Sequence, residues 1–131
     1  MDSVVDRTHR YLQKSIAALE AALMLPELPE RADRDAVLLR FELAVELTPK
    51  VLQRVLRERG AETVLPKDSV RVARSAGIIG EEVAVVLLSV IDDRNRMVHD
   101  YSEEYATALI GRVKNEYAPA LRALLDGLKR L

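Results

Sequence analysis

The sequence predicts an all-α fold: an antiparallel, up-and-down four-helix bundle with one additional short helix. Through most of the 131 residues, apolar side chains recur every three or four positions, which is the period of an α-helix. No segment alternates apolar and polar residues over the length of a strand. Four of the predicted helices are long enough to bury a full face, so we expect them to pack as a bundle in one domain, residues 1–131.

The first two predicted helices are long and amphipathic. The first, over residues 2–24, has an apolar stripe that includes Leu12 and Ile16. A loop with two prolines follows. The second helix, over residues 34–59, advances its apolar stripe in alternating steps of three and four. It is expected to end at Gly60, because glycine readily takes the left-handed conformation that follows many helix ends.

The remaining three helices differ in length. The third is short, over residues 66–76, and is followed by a glycine. The fourth covers residues 81–98 and begins with two glutamates, which favour the positive end of the helix dipole. The fifth covers residues 103–128, and either Asp100 or Ser102 is expected to cap its N-terminus.

Two prolines lie inside these predicted helices. Pro49 removes one backbone donor and its ring crowds the carbonyl group of Val45. We therefore expect a kink near residues 45–49, or a helix split in two. Pro119 is expected to bend the last helix for the same reason.

Composition excludes several classes of protein. The chain has no cysteine, which excludes disulfides, thiol catalysis and zinc bound by cysteine, and which fits a cytoplasmic location. Its 20 basic and 21 acidic residues give a formal charge of −1, unlike a strongly basic nucleic-acid binder. No apolar stretch approaches the roughly 20 residues of a membrane span. The N-terminal residues are acidic where a signal peptide would be basic, and no long apolar run follows, so we do not expect a signal peptide. Arginines outnumber lysines 15 to 5, which genomic base composition is sufficient to explain.

One charged residue departs from the expected pattern. Arg94 continues the apolar stripe of the fourth helix after Val83, Leu87 and Val90. A half-buried guanidinium must be paired with an anion, or must face a ligand that pairs with it. One interpretation is structural, an ion pair with a core carboxylate. The other is that Arg94 belongs to a binding site.

The residues that follow Arg94 add an imidazole and a phenol. His99 would lie about 140° around a continuing helix from Arg94, so the two converge only if the helix ends or loosens near Val98. Tyr101 comes seven residues after Arg94. A helix end here would direct all three groups toward one cleft. The structural alternative is that His99 caps the helix and Tyr101 is a peripheral aromatic residue.

Other candidates are weaker. Arg71 and Arg74 share one face of the third helix and form either a basic rim for RNA phosphates or a solvated face. His9 lies off the apolar stripe of the first helix and is expected to be solvated. With two histidines and no cysteine, we find no set of metal ligands, and neither a phosphate-binding loop nor a nucleophile elbow is present.

The stretch from Asp93 to Tyr101, DRNRMVHDY, resembles the R-x4-H-x-Y motif of HEPN-domain proteins. The sequence on both sides of the motif, roughly residues 10 to 125, resembles one branch of that family, the nucleotidyltransferase substrate-binding proteins. The similar segments include FELAVEL at residues 41–47, the glycine at position 60 that ends the second helix, and the SEE triplet at residues 102–104. Relatives often carry an aromatic residue where Thr48 and Pro49 stand, and this chain does not.

The resemblance implies a HEPN-like helical homodimer encoded beside a minimal nucleotidyltransferase. In many such pairs, of the type VII toxin–antitoxin class, the HEPN protein is a metal-independent endoribonuclease toxin and needs no cofactor. Arg94 and His99 would then be catalytic and Asn95 would support them. Tyr101 would be the tyrosine that the partner enzyme adenylylates, and Arg96, Arg71 and Arg74 would be weaker contacts to the RNA substrate.

Two other functional interpretations stay open from the sequence. The chain could be a non-catalytic subunit that presents substrate to the nucleotidyltransferase, with Arg94 and His99 gripping a nucleotide or RNA without cutting it. It could also be a helical scaffold with a structural arginine. The intact R-x4-H-x-Y motif favours the ribonuclease, since a scaffold needs neither the histidine nor the tyrosine.

Overall fold

A computed structural model describes residues 4–100 and 102–131 of the chain, and their side chains from residue 7 onward. Within these ranges the chain is helical and contains no strand. Its α-helices are α1 (Val4–Leu23), α2 (Ala32–Glu58), α3 (Pro66–Ser75), α4 (Glu81–Met97), α5 (Glu103–Arg112) and α6 (Ala118–Lys129). A 3-10 turn (Pro29–Arg31) precedes α2, and a π-helical turn (Val113–Tyr117) connects α5 to α6.

The structure confirms the all-α bundle and most of the predicted helix ends. The bounds of α2, α3 and α4 lie within two residues of those predicted, and the predicted start of the first helix falls outside the described residues. The turns after α2 and α3 place Gly60 and Gly77 at φ of 87° and 76°. At the start of α5, the Ser102 hydroxyl accepts a hydrogen bond from the Tyr105 amide at 3.2 Å, as expected of an N-cap.

α1 runs antiparallel to both α2 and α6 around one hydrophobic core. The Arg40 guanidinium donates to the carbonyl oxygen of Ala18 at 2.9 Å and joins the first third of α2 to the last third of α1. Arg122, near the start of α6, pairs with Glu20, near the end of α1. Phe41 is fully buried at the centre of the core. Leucines, isoleucines and valines from α1, α2, α4, α5 and α6 surround it.

The two internal prolines have different consequences. α2 runs past Pro49 as one helix, so the split that the sequence left open does not occur. Pro119 divides the predicted fifth helix into α5, the π-helical turn and α6. In the π-helical turn, the amide of Ala118 donates to the carbonyl oxygen of Val113, five residues earlier. Pro119 thereby lies in the first turn of α6, where no backbone donor is required.

Among the described residues, no helix combines the length and the hydrophobicity that a bilayer-spanning segment requires.

Candidate functional site

A buried carboxylate fixes the end of α4. Asp93 is 9% exposed and binds three side chains from α5 and the π-helical turn that follows it. Its carboxylate accepts two hydrogen bonds from Arg112, Nε to Oδ2 at 2.8 Å and Nη2 to Oδ1 at 2.9 Å. The Tyr117 hydroxyl donates to Oδ2, and the Tyr105 hydroxyl lies 2.7 Å from Oδ1 and 3.0 Å from the Asp93 backbone carbonyl oxygen. We call these four residues the Asp93 cluster.

The Asp93 cluster is electrostatically satisfied. Burial by itself would raise the pKa of Asp93, but hydrogen bonds from Arg112, Tyr117 and Tyr105 outweigh it and leave the pKa below its usual range. Burial and the hydrogen bond to Asp93 raise the pKa of Tyr117 to about 12. Asp93 is therefore a carboxylate and Tyr117 a neutral phenol at neutral pH, so the cluster holds one ion pair and two neutral donors.

The cluster determines where Arg94 lies. Successive side chains on an α-helix are about 100° apart, so Asp93 facing α5 turns Arg94 toward α2. There Arg94 lines a cavity of about 250 Å³ between α2 and α4, together with Pro49 and Ile91. The Arg94 side chain is partly buried, and its Nε is shielded from solvent with no hydrogen-bond partner.

The absence of a partner for Arg94 contrasts with its neighbours. Arg96 pairs with Asp100 at 3.2 Å, and Arg112 pairs with Asp93. In the part of the chain that the structure describes, no carboxylate forms an ion pair with Arg94. The structural interpretation of Arg94, an ion pair with a core carboxylate, is therefore wrong, since that carboxylate, Asp93, binds Arg112 instead.

His99 lies on the turn that ends α4. The helix ends at Met97, and the amides of His99 and Asp100 both donate to the Arg96 carbonyl oxygen, at 2.9 and 3.0 Å. This confirms the predicted helix end near Val98. The His99 side chain is exposed and does not line the cavity that contains Arg94. The cavity of one copy is therefore lined by Arg94 without His99, and the meeting of the two groups in a common site stays a prediction.

The other predicted site residues are dispersed. Asn95 is exposed and lines the same cavity as Arg94. The Arg96 guanidinium stacks over the Tyr105 ring, 4.4 Å from its centroid. Arg71 and Arg74 are exposed on α3 and form ion pairs with nearby carboxylates. Tyr101 lies outside the described residues.

A larger cavity, of about 420 Å³, borders the other side of the turn after α4. Val98 and Met97 line its apolar part. Its carboxylates come from three parts of the chain, and they are Asp35, Glu42, Asp100 and Glu103. So many acidic groups repel phosphate, which makes this cavity a poor candidate for holding a nucleic-acid backbone.

The expectation that His9 is solvated is wrong. Its side chain is partly buried where α1 begins, beside Val51 and Val55 of α2 and Leu128 of α6. The Nε2 atom is shielded and has no hydrogen-bond partner. The apolar stripe of α1 did not predict the partial burial of His9, because the end of α6 covers a second side of α1. Within the described residues, no three histidine or carboxylate side chains cluster as metal ligands would.

Sequence reasoning missed the Asp93 cluster. Asp93 lies three residues after Val90 and seven after Val86, which places it on the inner side of α4. Tyr105 and Tyr117 both fall on the apolar stripe of the facing helix. A carboxylate on the inner face of one helix and two tyrosines on the inner face of another could have predicted that Asp93 binds Tyr105 and Tyr117.

Comparison with known proteins agrees with this architecture. The family model described as nucleotidyltransferase substrate binding protein like matches residues 7–130. A crystal structure of a protein from Thermus thermophilus is 38% identical, with a TM-score of 0.82 over 91% of this chain and 99% of that one. Among curated proteins, none matches the chain.

More distant solved structures show the same fold. A tri-AMPylated HEPN toxin from Shewanella oneidensis, in complex with its MNT antitoxin, superposes with a TM-score of 0.82 at 16% identity over all of both chains. A structure of the toxin–antitoxin MntA–HpeT superposes equally well, at 15% identity over 99% of this chain and 100% of that chain. At these identities the likeness shows a shared HEPN fold.

Proposed function

We propose that this chain, which belongs to the nucleotidyltransferase substrate binding protein like family, is a HEPN-type toxin: a metal-independent endoribonuclease controlled by a minimal nucleotidyltransferase. The observation that carries the proposal is the unpaired, half-buried guanidinium of Arg94. A partly buried cation without a carboxylate partner lowers its free energy by binding an anion. In RNA that anion is the phosphodiester.

The chemistry of cleavage assigns a role to each residue of the motif. A base removes the proton of the 2′-hydroxyl, whose oxygen attacks phosphorus, and the bond from phosphorus to the 5′-oxygen breaks as an acid protonates that oxygen. Histidine suits both proton transfers, since its reference pKa of about 6.5 lies near working pH. Arg94 would stabilise the charge that builds on the phosphoryl oxygens, and Asn95 would help to orient them.

The single imidazole of the motif cannot be the base and the acid at once, so the proposal requires a homodimer that shares a site. The exposed position of His99 outside the Arg94 cavity favours this, because an exposed side chain is accessible to a second copy. Exposed apolar residues on α2 and at the end of α4 also favour an interface. Leu39 and Leu43 lie one turn apart on α2, and Val98 is 48% exposed at the end of α4.

Control by a partner enzyme would act at Tyr101. Adenylylation there adds a bulky nucleotide with one negative charge, seven residues from Arg94 and five from Arg96. The added phosphate would pair with an arginine and exclude the RNA phosphate. The AMPylated Shewanella toxin is a structural neighbour in which such a modification is seen.

The test is cleavage of RNA by the purified protein in EDTA, compared with Arg94→Ala and His99→Ala variants. We expect products with 2′,3′-cyclic phosphate ends, and a loss of at least about a hundredfold in either variant. Arg130→Ala, which removes an exposed arginine of the last turn, is the matched control and should cleave normally. Equal cleavage by all four proteins would identify a contaminating nuclease and defeat the proposal.

The regulatory part is tested by intact-mass measurement after co-expression with the neighbouring nucleotidyltransferase. We expect mass added in units of AMP on the wild-type chain and none on Tyr101→Phe. The unmodifiable variant should cleave RNA as the wild type does, yet escape inhibition by the partner. A Tyr101→Phe variant that the partner still inhibits would show that inhibition does not depend on this residue.

A second candidate function is a non-catalytic subunit that presents substrate to the nucleotidyltransferase. The separation of His99 from the Arg94 cavity within one copy favours it, since a grip on a nucleotide needs the arginine alone. Binding of RNA or nucleotide in EDTA without cleavage, weakened by Arg94→Ala and unchanged by His99→Ala, would support this function over the ribonuclease.

A further inference from the structure

We infer that the cavity between α2 and α4 is a subsite for one nucleobase, occupied by the base next to the phosphate that Arg94 holds. The inference rests on the proposed function only in placing a phosphate at Arg94. It adds a contact that reads the identity of a base. The same subsite would serve an RNA nucleotide in the ribonuclease or a free nucleotide in a substrate-presenting subunit.

The size and walls of the cavity suit a single flat ring. Its volume of about 250 Å³ lies below the roughly 300–1,000 Å³ of sites for drug-sized ligands, so one ring system fits and a dinucleotide does not. Four apolar side chains form its walls. They come from α2, the start of α3, and α4, and they are Val45, Pro49, Pro66 and Ile91. The C–H groups of the Pro49 and Pro66 rings can pack against the face of an aromatic ring, which favours a base over a flexible chain.

The polar lining of the cavity combines donors, from Lys50, Arg94 and Asn95, with acceptors, from Glu46 and Gln53. The Gln53 amide nitrogen donates to the Val64 carbonyl oxygen at 3.0 Å, which leaves the Gln53 amide oxygen available. The Glu46 carboxylate, which also lines the cavity, is a second acceptor. Two acceptors beside an apolar slot favour a base with an exocyclic amino group.

Charge distinguishes a nucleotide from an uncharged ring. Arg94 lies at one side of the cavity and Lys50 at another, and the Lys50 ammonium is 3.9 Å from the Glu46 carboxylate. That distance is long for an ion pair on an exposed surface, so Lys50 remains available to a ligand. Among the described residues no carboxylate pairs with Arg94, so a phosphate there would displace none. A ligand with a ring and an adjacent phosphate therefore satisfies both parts of the site.

The test measures nucleotide binding in a protein that carries His99→Ala, so that cleavage does not complicate the titration. Each of the four nucleoside 5′-monophosphates, and inorganic phosphate, is titrated into isotope-labelled protein and followed by NMR. We expect AMP, CMP and GMP to shift the side-chain amide of Gln53 and the methyl groups of Ile91. UMP, which has no amino group, should bind about fivefold more weakly, the effect of one hydrogen bond. Phosphate alone should leave the Gln53 amide unshifted.

A matched pair of variants checks the location. Gln53→Leu should reduce the preference against UMP to less than twofold, whereas Gln13→Leu, the same change at a partly buried position of α1, should preserve it. Should Gln53→Leu fail to fold, the relative affinities of the four nucleotides for the protein with Gln53 intact still test the subsite. Equal affinities for the four nucleotides, or shifts confined to other surfaces, would overturn the subsite.

Cleavage separates this inference from the proposed function. An RNA library cut with an uneven base preference beside the scissile phosphate, flattened by Gln53→Leu, supports both. Cleavage without any preference, and without shifts at Gln53, overturns the subsite and leaves the ribonuclease intact. Base-selective binding without cleavage keeps the subsite and favours the substrate-presenting subunit.

Discussion

Replacement of Asp93 by asparagine should destabilise the chain far more than an ordinary charge substitution. Asparagine keeps the shape of the side chain but removes its charge, and its nitrogen cannot accept a hydrogen bond. The Arg112 guanidinium then loses its counter-ion, and the Tyr117 hydroxyl loses one strong acceptor. These contacts, with that of Tyr105, join α4 to the rod formed by α5, the π-helical turn and α6.

The magnitude follows from burial. Breaking a buried ion pair by removing one partner costs about 3–5 kcal/mol. The Asp93 side chain is 12% exposed, but that of Arg112 is 33% exposed and recovers part of its hydration when the carboxylate charge is lost. We therefore expect a loss of about 2–3 kcal/mol. With a urea m-value of roughly 2 kcal/mol/M, the unfolding midpoint should fall by about 1–1.5 M.

Urea unfolding followed by circular dichroism measures this loss, with Asp92→Asn as the control. Asp92 is the preceding residue on α4, is 65% exposed and pairs with Lys67, so the same substitution there should cost less than about 1 kcal/mol. Similar midpoints for the two variants would refute the reasoning, because the Asp93 cluster would then behave as a surface ion pair.

The pH dependence of the loss provides an independent check. The pKa of Asp93 is lower in the folded chain than in the unfolded one, so its stabilisation is complete above about pH 4. It disappears as the pH falls through the lowered pKa. The stability difference between the wild type and Asp93→Asn should therefore be constant from pH 5 to 8 and shrink in more acidic solution.

Three further outcomes are expected. Ser102→Ala should cost about 1 kcal/mol in urea unfolding, since the Tyr105 amide loses its cap, and an unchanged midpoint would contradict that role. The wild type should lose stability between about pH 10 and pH 12, because burial and the Asp93 hydrogen bond raise the pKa of Tyr117 to about 12 and folding there favours the protonated phenol. Tyr117→Phe should show a smaller alkaline loss in the same titration. Arg94→Met should change stability by less than about 1 kcal/mol, because no ion pair is broken, and a loss as large as that of Asp93→Asn would reveal a structural role.

The helical architecture was predictable because its cause is local. A repeat of apolar residues at three and four positions determines which face of each helix is buried. Gly60 and Gly77 mark where α2 and α3 end, and Ser102 marks where α5 begins. The consequence of Pro119 was less accessible. A helix can accommodate a proline, which lacks a backbone N–H, either by bending or by forming a π-helical turn. Which of the two occurs depends on what the neighbouring side chains contact. Here the π-helical turn contains Tyr117, which binds Asp93.

By itself the sequence determined that Arg94 lies on the inner part of α4 and that the helix ends before His99, because periodicity and capping act over a few residues. Which acidic side chain the core contains was decided by tertiary structure. Asp93 is buried because Arg112, Tyr105 and Tyr117 converge on it from a helix that begins ten residues later. That convergence leaves Arg94 without a carboxylate and turns it toward Pro49, and only the packing of α2 against α4 creates the cavity that it lines.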